Sequence, residues 1–211
     1  NQGHIPPAPD QGVGEAVAYR WGFKTEANDL AREVRAELGL DPFDRLDPWR
    51  LAEQLEIPIL GLSELANEAS AIRHLMVVEP EAFSAVTVFC GAARTIVHND
   101  GHAATRQNSN LAHELAHGLL LHPPTPALDD RGCRNWNQDI EDEAGWLGGI
   151  LLITEEMTIA IARGQPSAEE AARRLGVSRQ MIRFRMNATG AEARVRRARA
   201  SAPNGPTRRR S

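Results

Sequence analysis

The sequence contains few of the features that indicate a secreted or membrane-bound protein. Its 211 residues include only two cysteines, Cys90 and Cys133, which form no motif and are expected to be free thiols. It has no apolar run of the roughly 18 residues that a transmembrane helix needs. The first residues, Asn1 to His4, contain no signal-like apolar segment and are predicted to belong to a flexible lead. These absences favour a cytoplasmic protein without a membrane partner.

Lysine is also scarce: Lys24 is the only one, so arginine supplies nearly all of the positive charge. Residues 163–211 contain 13 arginines and three acidic residues, whereas acidic residues outnumber basic ones in the rest of the chain. An acidic body is therefore followed by a basic segment, an asymmetry that indicates an interaction tail or a nucleic-acid-binding segment. The alternative is compositional, since arginine here serves every basic role.

Hydrophobic periodicity predicts an α+β fold. Apolar residues at helical spacing predict a helix over residues 25–39 and a second from Pro48 to Glu56. Four short runs have the composition of β-strands: Ile57–Leu60, His74–Glu79, Ala85–Cys90 and Thr95–His98. They predict a small, largely antiparallel sheet that packs against a following helix, for which Asn108 or Ser109 would be the N-cap.

That helix carries the most informative motif, the run 110–117, which reads NLAHELAH. His113 and His117 are four apart, so on a helix they project from one face and can bind one Zn²⁺. Glu114 lies between them, where it can accept a proton from a water molecule, as in a metallopeptidase. The alternative is a surface helix on which the two histidines and the glutamate are simply solvated. The apolar residues around the motif favour a buried helix, on which unsatisfied ionisable groups would be costly.

A catalytic zinc site needs a third protein ligand. His122 follows His117 by five residues, whereas metzincins place their third histidine six residues on, with a glycine between that breaks the helix. The metzincin interpretation therefore fails, and His122 is better explained as a helix-end residue or as a contact behind the ligands. The acidic run 139–147 is the better source of the third zinc ligand. On spacing alone, however, this run is equally well explained as the solvated start of a helix.

These motifs resemble those of the ImmA/IrrE-type zinc metallopeptidases. The resemblance covers roughly residues 20–190 and is strongest at 111–117, LAHELAH; it continues at Glu141-Asp142-Glu143-Ala144 and at the pair Leu151-Leu152. Two positions depart from the family pattern: Leu147 stands where an aromatic residue is usual, and Thr154 where proline is common. Neither departure falls on a proposed ligand.

The resemblance implies a zincin-like fold with His113 and His117 as zinc ligands and Glu114 as general base. It also implies that a glutamate of the Glu-x-Glu-Ala segment is the third ligand. Glu141 and Glu143 lie about 200° apart around a helix and are not expected to face the same metal. We predict Glu143, because it lies one residue before Ala144 and four before Leu147, on the stripe expected to enter the core. Glu141 would then be exposed or behind the ligands.

The resemblance further implies one specific protein substrate, a helix-turn-helix transcriptional repressor cleaved in a stress or mobile-element response. An oxyanion-stabilising residue is also expected, for which His98, His102 and Arg106 are the nearest candidates in sequence. A regulatory protein that uses the same fold without proteolysis is the alternative, although an intact Glu114 argues mildly against it.

Residues 167–189 have the spacing of a helix-turn-helix: Ala172, Gly176 and then Ile182, with Ser178 able to cap the second helix. Arg179, Arg183 and Arg185 on that helix are candidate DNA contacts, but a turn that merely joins two packed helices is the commoner meaning of this weak pattern. We therefore predict four parts: a disordered lead (1–14), a zincin-like domain (15–154), a helix-turn-helix-like segment (155–190) and a basic flexible tail (191–211).

Overall fold

The structure, a computed structural model, describes residues 19–67, 69–91, 93–124 and 137–201. The predicted lead, residues 125–136 with Cys133, and the last ten residues of the predicted tail lie outside the described residues. Within the described part, the chain is mainly helical and contains one small three-stranded sheet. The predicted α+β class is confirmed.

Two helices near the start of the described chain agree with the sequence prediction. Helix α1 spans Phe23–Glu37 and buries an apolar stripe that includes Phe23, Ala27 and Ala31. Helix α2 spans Pro48–Gln54. Proline at its first position has the backbone angle that a helix requires, and the Asp47 side chain accepts a hydrogen bond from the Trp49 N–H as N-cap.

The sheet combines both strand directions. Strands β1 (Ile59–Gly61), β2 (Ala85–Cys90) and β3 (Ala93–His98) lie in the order β1-β3-β2. The β2–β3 pair is antiparallel, as expected, whereas β1 pairs with β3 in parallel. Strand β2 is therefore at one edge of this sheet, with one side unpaired among the described strands.

One predicted strand is wrong. Residues 74–77 of the predicted strand His74–Glu79 belong to helix α3, Ser70–Val77. The pair Val77-Val78 favoured a strand in the sequence, but both side chains are exposed. Ile72, Leu75 and Met76 recur at helical spacing instead and are the half-buried members of α3.

Helices α4 (Ala104–Leu119) and α5 (Gln138–Leu152) pack together at the centre of the molecule. Their approach depends on Gly148, because a Cβ atom there would lie 3.0 Å from the carbonyl oxygen of Ala112 on α4. Helix α4 begins five or six residues earlier than predicted, with Ala103 as its N-cap residue. Asn108, a predicted N-cap, is buried inside it and donates a 2.6 Å hydrogen bond to the Gly176 carbonyl.

The remaining described chain is helical: α6 Glu155–Ala162, α7 Ala168–Leu175, α8 Arg179–Thr189 and α9 Ala191–Ser201. The predicted turn is present, with Gly176 in the left-handed region (φ 67°) and Ser178 accepting from the Met181 N–H as N-cap of α8. Residues 191–201, predicted as flexible tail, form α9 because Ala191 and Val195 are buried against the body.

These helices share an apolar cluster with the centre of the molecule. The cluster combines Ala112 of α4, Leu152 and Ile153 at the end of α5, and buried residues of α6 to α8. Among the described residues, no single helix is long and apolar enough to cross a membrane; α5 and α6 reach that length only as a pair bent by 65°.

Candidate metal centre

Helix α4 presents two imidazoles on one side and an apolar stripe on the other. Leu111, Ala112 and Leu115 are fully buried, which fixes how the helix is turned about its axis. His113 and His117 consequently lie on its more open side, one turn apart. Their Nε2 atoms are 3.1 Å from each other.

Helix α5 adds a carboxylate to this pair. The Glu141 Oε2 atom is 3.1 Å from His113 Nε2, and its Oε1 atom is 3.7 Å from His117 Nε2. Partial burial would by itself raise the pKa of the Glu141 carboxyl, but the contacts with His113 and His117 outweigh it and hold that pKa well below its usual range. Glu141 is thus ionised at neutral pH, as a metal ligand must be.

The three side chains fit a zinc ion. One ligand atom from each lies within 4.8 Å of the other two. Four ligands held tetrahedrally at about 2.0–2.1 Å from Zn²⁺ are separated from one another by about 3.3–3.4 Å. The two imidazole nitrogens are 3.1 Å apart, and Glu141 approaches them with different oxygens, Oε2 at 3.1 Å from His113 and Oε1 at 3.7 Å from His117, so each contact is close to that separation. Two imidazoles with one carboxylate are donors that zinc prefers.

Glu114 lies beside this group and is held by the sheet. Its Oε2 atom accepts a 2.7 Å hydrogen bond from the Thr87 hydroxyl on β2. The opposite carboxylate oxygen is not used by that bond. Glu114 is therefore oriented at one oxygen while the other can exchange a proton.

An open cleft of about 220 Å³ runs between β2, α4 and the start of α5. Glu114, His117 and Glu141 line it, so the candidate metal centre is reached from this cleft. The other lining residues come mostly from β2 and from the end of α4: Ala85, Val86, Thr87, Phe89, Arg94, Gly118, His122, Pro123, Pro124 and Ile140.

Comparison with known proteins agrees with this geometry. Residues 63–187 match the peptidase family Peptidase_M78, described as the IrrE N-terminal-like domain. The chain belongs to this family. A search of curated proteins found no match to it. The match covers β2, β3, the metal centre, α6, α7 and most of α8, but begins after α1, α2 and β1. It confirms the predicted ImmA/IrrE resemblance and the zincin-like α+β fold.

The third member of the group differs from the glutamate predicted from the sequence. Glu143, the predicted ligand, faces a different set of partners: Arg20 Nε at 3.0 Å and His122 Nε2 at 3.4 Å. Glu141 takes the place next to His113 and His117. The two glutamates do face different directions, as their spacing requires, but the orientation of α5 against α4 reverses which one points to the histidines.

The three predicted oxyanion candidates do not line the cleft. His98 is buried on β3, where its ring is 6.0 Å from that of Trp49 and burial lowers its pKa. His102 Nε2 lies 2.9 Å from the Pro80 carbonyl oxygen, and Arg106 is ion-paired with Glu81. Closeness in sequence to α4 was a poor guide, because His98 at the end of β3 and the residues that follow it lie away from the cleft, although Arg94 at the start of β3 lines it.

The sequence interpretation missed two polar residues of the cleft, Thr87 and Arg94. Both lie on the same face of the sheet as the buried residue Ile96. Thr87 is paired directly with Ile96, and Arg94 is two residues before Ile96 on the same strand. A polar side chain on the inward face of a strand is the signal that could have found them. Arg94 donates a 3.4 Å hydrogen bond to the Gly118 carbonyl and brings a positive charge to the cleft.

The candidate DNA contacts on α8 do not share one environment. Arg179 and Arg183 are exposed, whereas Arg185 is only 1% exposed. Arg185 turns inward because Ile182 and Arg185 share the buried side of α8. Arg185 is thus not accessible to DNA in this structure, and any contact by this helix would fall on Arg179 and Arg183.

Proposed function

We propose that this protein is a zinc-dependent endopeptidase that cleaves one specific protein. The observation that carries the proposal is the convergence of His113, His117 and Glu141, with Glu114 next to them at an open cleft. A purely structural zinc site is usually closed by four protein ligands and has no need of a neighbouring base. Here three ligands and an oriented glutamate support a catalytic site.

The residues divide the chemistry among them. Bound zinc supplies Lewis acidity, which polarises the scissile carbonyl and makes water a nucleophile near neutral pH. Glu114 accepts the proton of the attacking water and later donates it to the leaving amine. The hydrogen bond from Thr87 holds Glu114 in place for both transfers. General acid–base help of this kind typically contributes about 10²–10⁴-fold to the rate.

The cleft suits an extended peptide. Strand β2 is at the edge of the sheet, and Ala85, Val86, Thr87 and Phe89 line the cleft beside Glu114. An extended segment can add to such an edge through backbone hydrogen bonds, which position a scissile bond without regard to side chains. Selectivity then has to come from the surrounding surface.

The specific substrate that we propose is a helix-turn-helix transcriptional repressor, cleaved in a stress or mobile-element response. This part rests on the resemblance to ImmA/IrrE-type peptidases and not on the cleft itself. DNA is a secondary proposal, limited to Arg179 and Arg183. We place the reaction in the cytoplasm, where such repressors act.

The test compares zinc-loaded wild type with Glu114→Gln. Glutamine keeps the shape and the hydrogen bond from Thr87 but cannot accept the proton of water at neutral pH. Cleavage of a helix-turn-helix repressor, sought among the neighbouring genes, is expected to fall by about 10²–10⁴-fold, while bound zinc stays the same. Glu33→Gln, an exposed change on α1, is the control and should cleave like wild type.

A library of unstructured peptides, assayed in parallel, separates activity from substrate identity. If peptides of the library are cleaved but the repressor is not, the proposed substrate is wrong and the peptidase activity still stands. Equal cleavage by wild type and Glu114→Gln would contradict the peptidase mechanism. A Glu114→Gln protein that keeps its cellular function while losing cleavage would instead favour the regulatory, non-proteolytic alternative.

A further inference from the structure

Behind the candidate ligand His117 lies a continuous line of polar contacts. His117 Nδ1 is 2.9 Å from His122 Nδ1, and His122 Nε2 is 3.4 Å from Glu143 Oε2. Glu143 Oε1 is in turn 3.0 Å from Arg20 Nε. We call Arg20, Glu143 and His122 the support chain. Its members come from three separate segments: the residues before α1, helix α5 and the chain just after α4.

The direction of each hydrogen bond follows from the first one. His117 uses Nε2 in the group with His113 and Glu141, and an imidazole that binds a metal through Nε2 carries its proton on Nδ1. Its Nδ1–H must therefore donate to His122, whose Nδ1 must accept. A neutral His122 then has its proton on Nε2, which points at the Glu143 carboxylate.

Because the inner side chains are buried, water cannot readily replace the hydrogen bonds between them. The side chains of His122 and Glu143 are only 9% and 14% exposed. Arg20, at the outer end, is 49% exposed and also holds Glu26 with two hydrogen bonds of 2.7 Å. The guanidinium thus compensates the charge of Glu143, while the inner two members are shielded from competing solvent.

We propose that Arg20, Glu143 and His122 are positioning residues that hold His117 in the ring orientation and tautomer that zinc binding requires. The inference rests on the proposed metal centre and assigns Glu143 a task different from that of Glu141. The two glutamates of the Glu-x-Glu-Ala segment then serve the same metal, one by direct contact and one through two imidazole rings. Groups that orient a histidine ligand in this way typically change metal affinity by about 10–100-fold when removed.

Zinc affinity, measured by competition with a chelator at fixed pH, tests the proposal without any substrate. His122→Phe keeps a ring of similar size but cannot accept the His117 proton, so zinc binding should weaken by about 10–100-fold. His122→Asn can place an amide oxygen near the position of Nδ1 and should recover most of that loss. Recovery by asparagine separates hydrogen bonding from simple filling of space.

The other members supply graded and matched variants. Glu143→Leu should weaken zinc binding by about 10-fold or more, and Glu143→Gln by less because it keeps an acceptor. Arg20→Met should cost at most about fivefold, since its charge is half-exposed. Arg32→Met is its control: Arg32 pairs with Asp29 and Glu156, on a different part of the surface, and should have no effect.

Nitrogen-15 NMR of the imidazole rings in the zinc-loaded protein gives a second, direct readout. We expect the proton of His117 on Nδ1 and that of His122 on Nε2. Wild-type zinc affinity in His122→Phe, or a His122 proton on Nδ1, would overturn the support chain while leaving the metal centre intact. If Glu143→Leu reduced zinc affinity as much as Glu141→Leu does, Glu143 would be a ligand, and the support chain would again be overturned. If wild type itself binds no zinc, the proposed function fails first.

Discussion

The α4–α5 pair and the α6–α8 segment are both rich in residues that carry chemistry, but only in the first do these residues converge. His113, His117 and Glu141 come from two helices to within 4.8 Å of one another. The arginines of α8 diverge: Arg179 and Arg183 point to solvent, and Arg185 points inward. A motif indicates a site only when the fold aims its members at one point.

Arg185, the arginine of α8 that points inward, connects the α6–α8 segment to the α4–α5 pair. Arg185 Nε donates a 3.3 Å hydrogen bond to the Ile153 carbonyl at the end of α5, and its guanidinium lies 5.4 Å from the ring centre of Trp146. Burial lowers the pKa of Arg185 to about 10. The α6–α8 segment therefore packs the buried Arg185 side chain against α5, the helix that carries Glu141.

Removing Arg185 should have the largest effect on stability. Arg185→Ala leaves a cavity and an unpartnered Ile153 carbonyl, so the free energy of unfolding should fall by about 2–4 kcal/mol. Arg183→Ala, two residues away and exposed, should change it by no more than about 0.5 kcal/mol. Denaturant unfolding measures both. Equal effects would mean that α8 does not support α5 through this residue.

Arg185→Met separates packing from charge in the same experiment. Methionine restores much of the lost volume and removes the cost of burying a cation, so its stability should lie within about 1.5 kcal/mol of wild type. A loss as large as that of Arg185→Ala would show that the guanidinium itself, and not the space it fills, holds α5.

Two adjacent glycines of α5 sharpen the comparison, since each faces one region. A Cβ at Gly148 would lie 3.0–3.2 Å from backbone atoms of Ala112 and His113, whereas one at Gly149 would lie 2.9 Å from Cδ of the Arg185 side chain. Gly148→Ala should lower the free energy of unfolding by about 1–3 kcal/mol and also weaken zinc binding, because it pushes α5 from α4. Gly149→Ala should leave zinc affinity unchanged.

Gly145→Ala is the control for both glycine variants. It lies on the same helix, and a Cβ there would meet nothing within 4 Å. Replacing a helical glycine by alanine without a clash should raise stability by about 0.5–1 kcal/mol. If Gly148→Ala behaved like Gly145→Ala, the close approach of α4 and α5 would not control the metal centre.

The sequence alone predicted the parts of this architecture that depend on local pattern. The β-prone composition of Ala85–Cys90, the apolar stripe of α1 and the capping by Ser178 all act over a few residues and were found in the expected places. The predicted strand at His74–Glu79 failed for the same reason: two consecutive valines carry a local strand preference that the half-buried face of α3 overrides.

The other differences between prediction and structure concern direction in space. Glu141 and Glu143 are equally plausible on a helical wheel until the rotation of α5 against α4 is known, and Gly148 fixes that rotation through a backbone contact. The inward turn of Arg185 likewise depends on Trp146 and Ile153, which are distant in sequence. The partner of Glu143, Arg20, lies outside the family match and could not be assigned from any motif.

The position of the metal tests the account most directly. Crystals of the protein soaked in zinc and measured at the zinc absorption edge would locate the ion by its anomalous scattering. We expect one anomalous peak, about 2.0–2.2 Å from Nε2 of His113, Nε2 of His117 and a carboxylate oxygen of Glu141. Glu114 should lie beside the zinc ion without binding it. A peak bound by His122 and Glu143, or none at the two α4 histidines, would contradict the account.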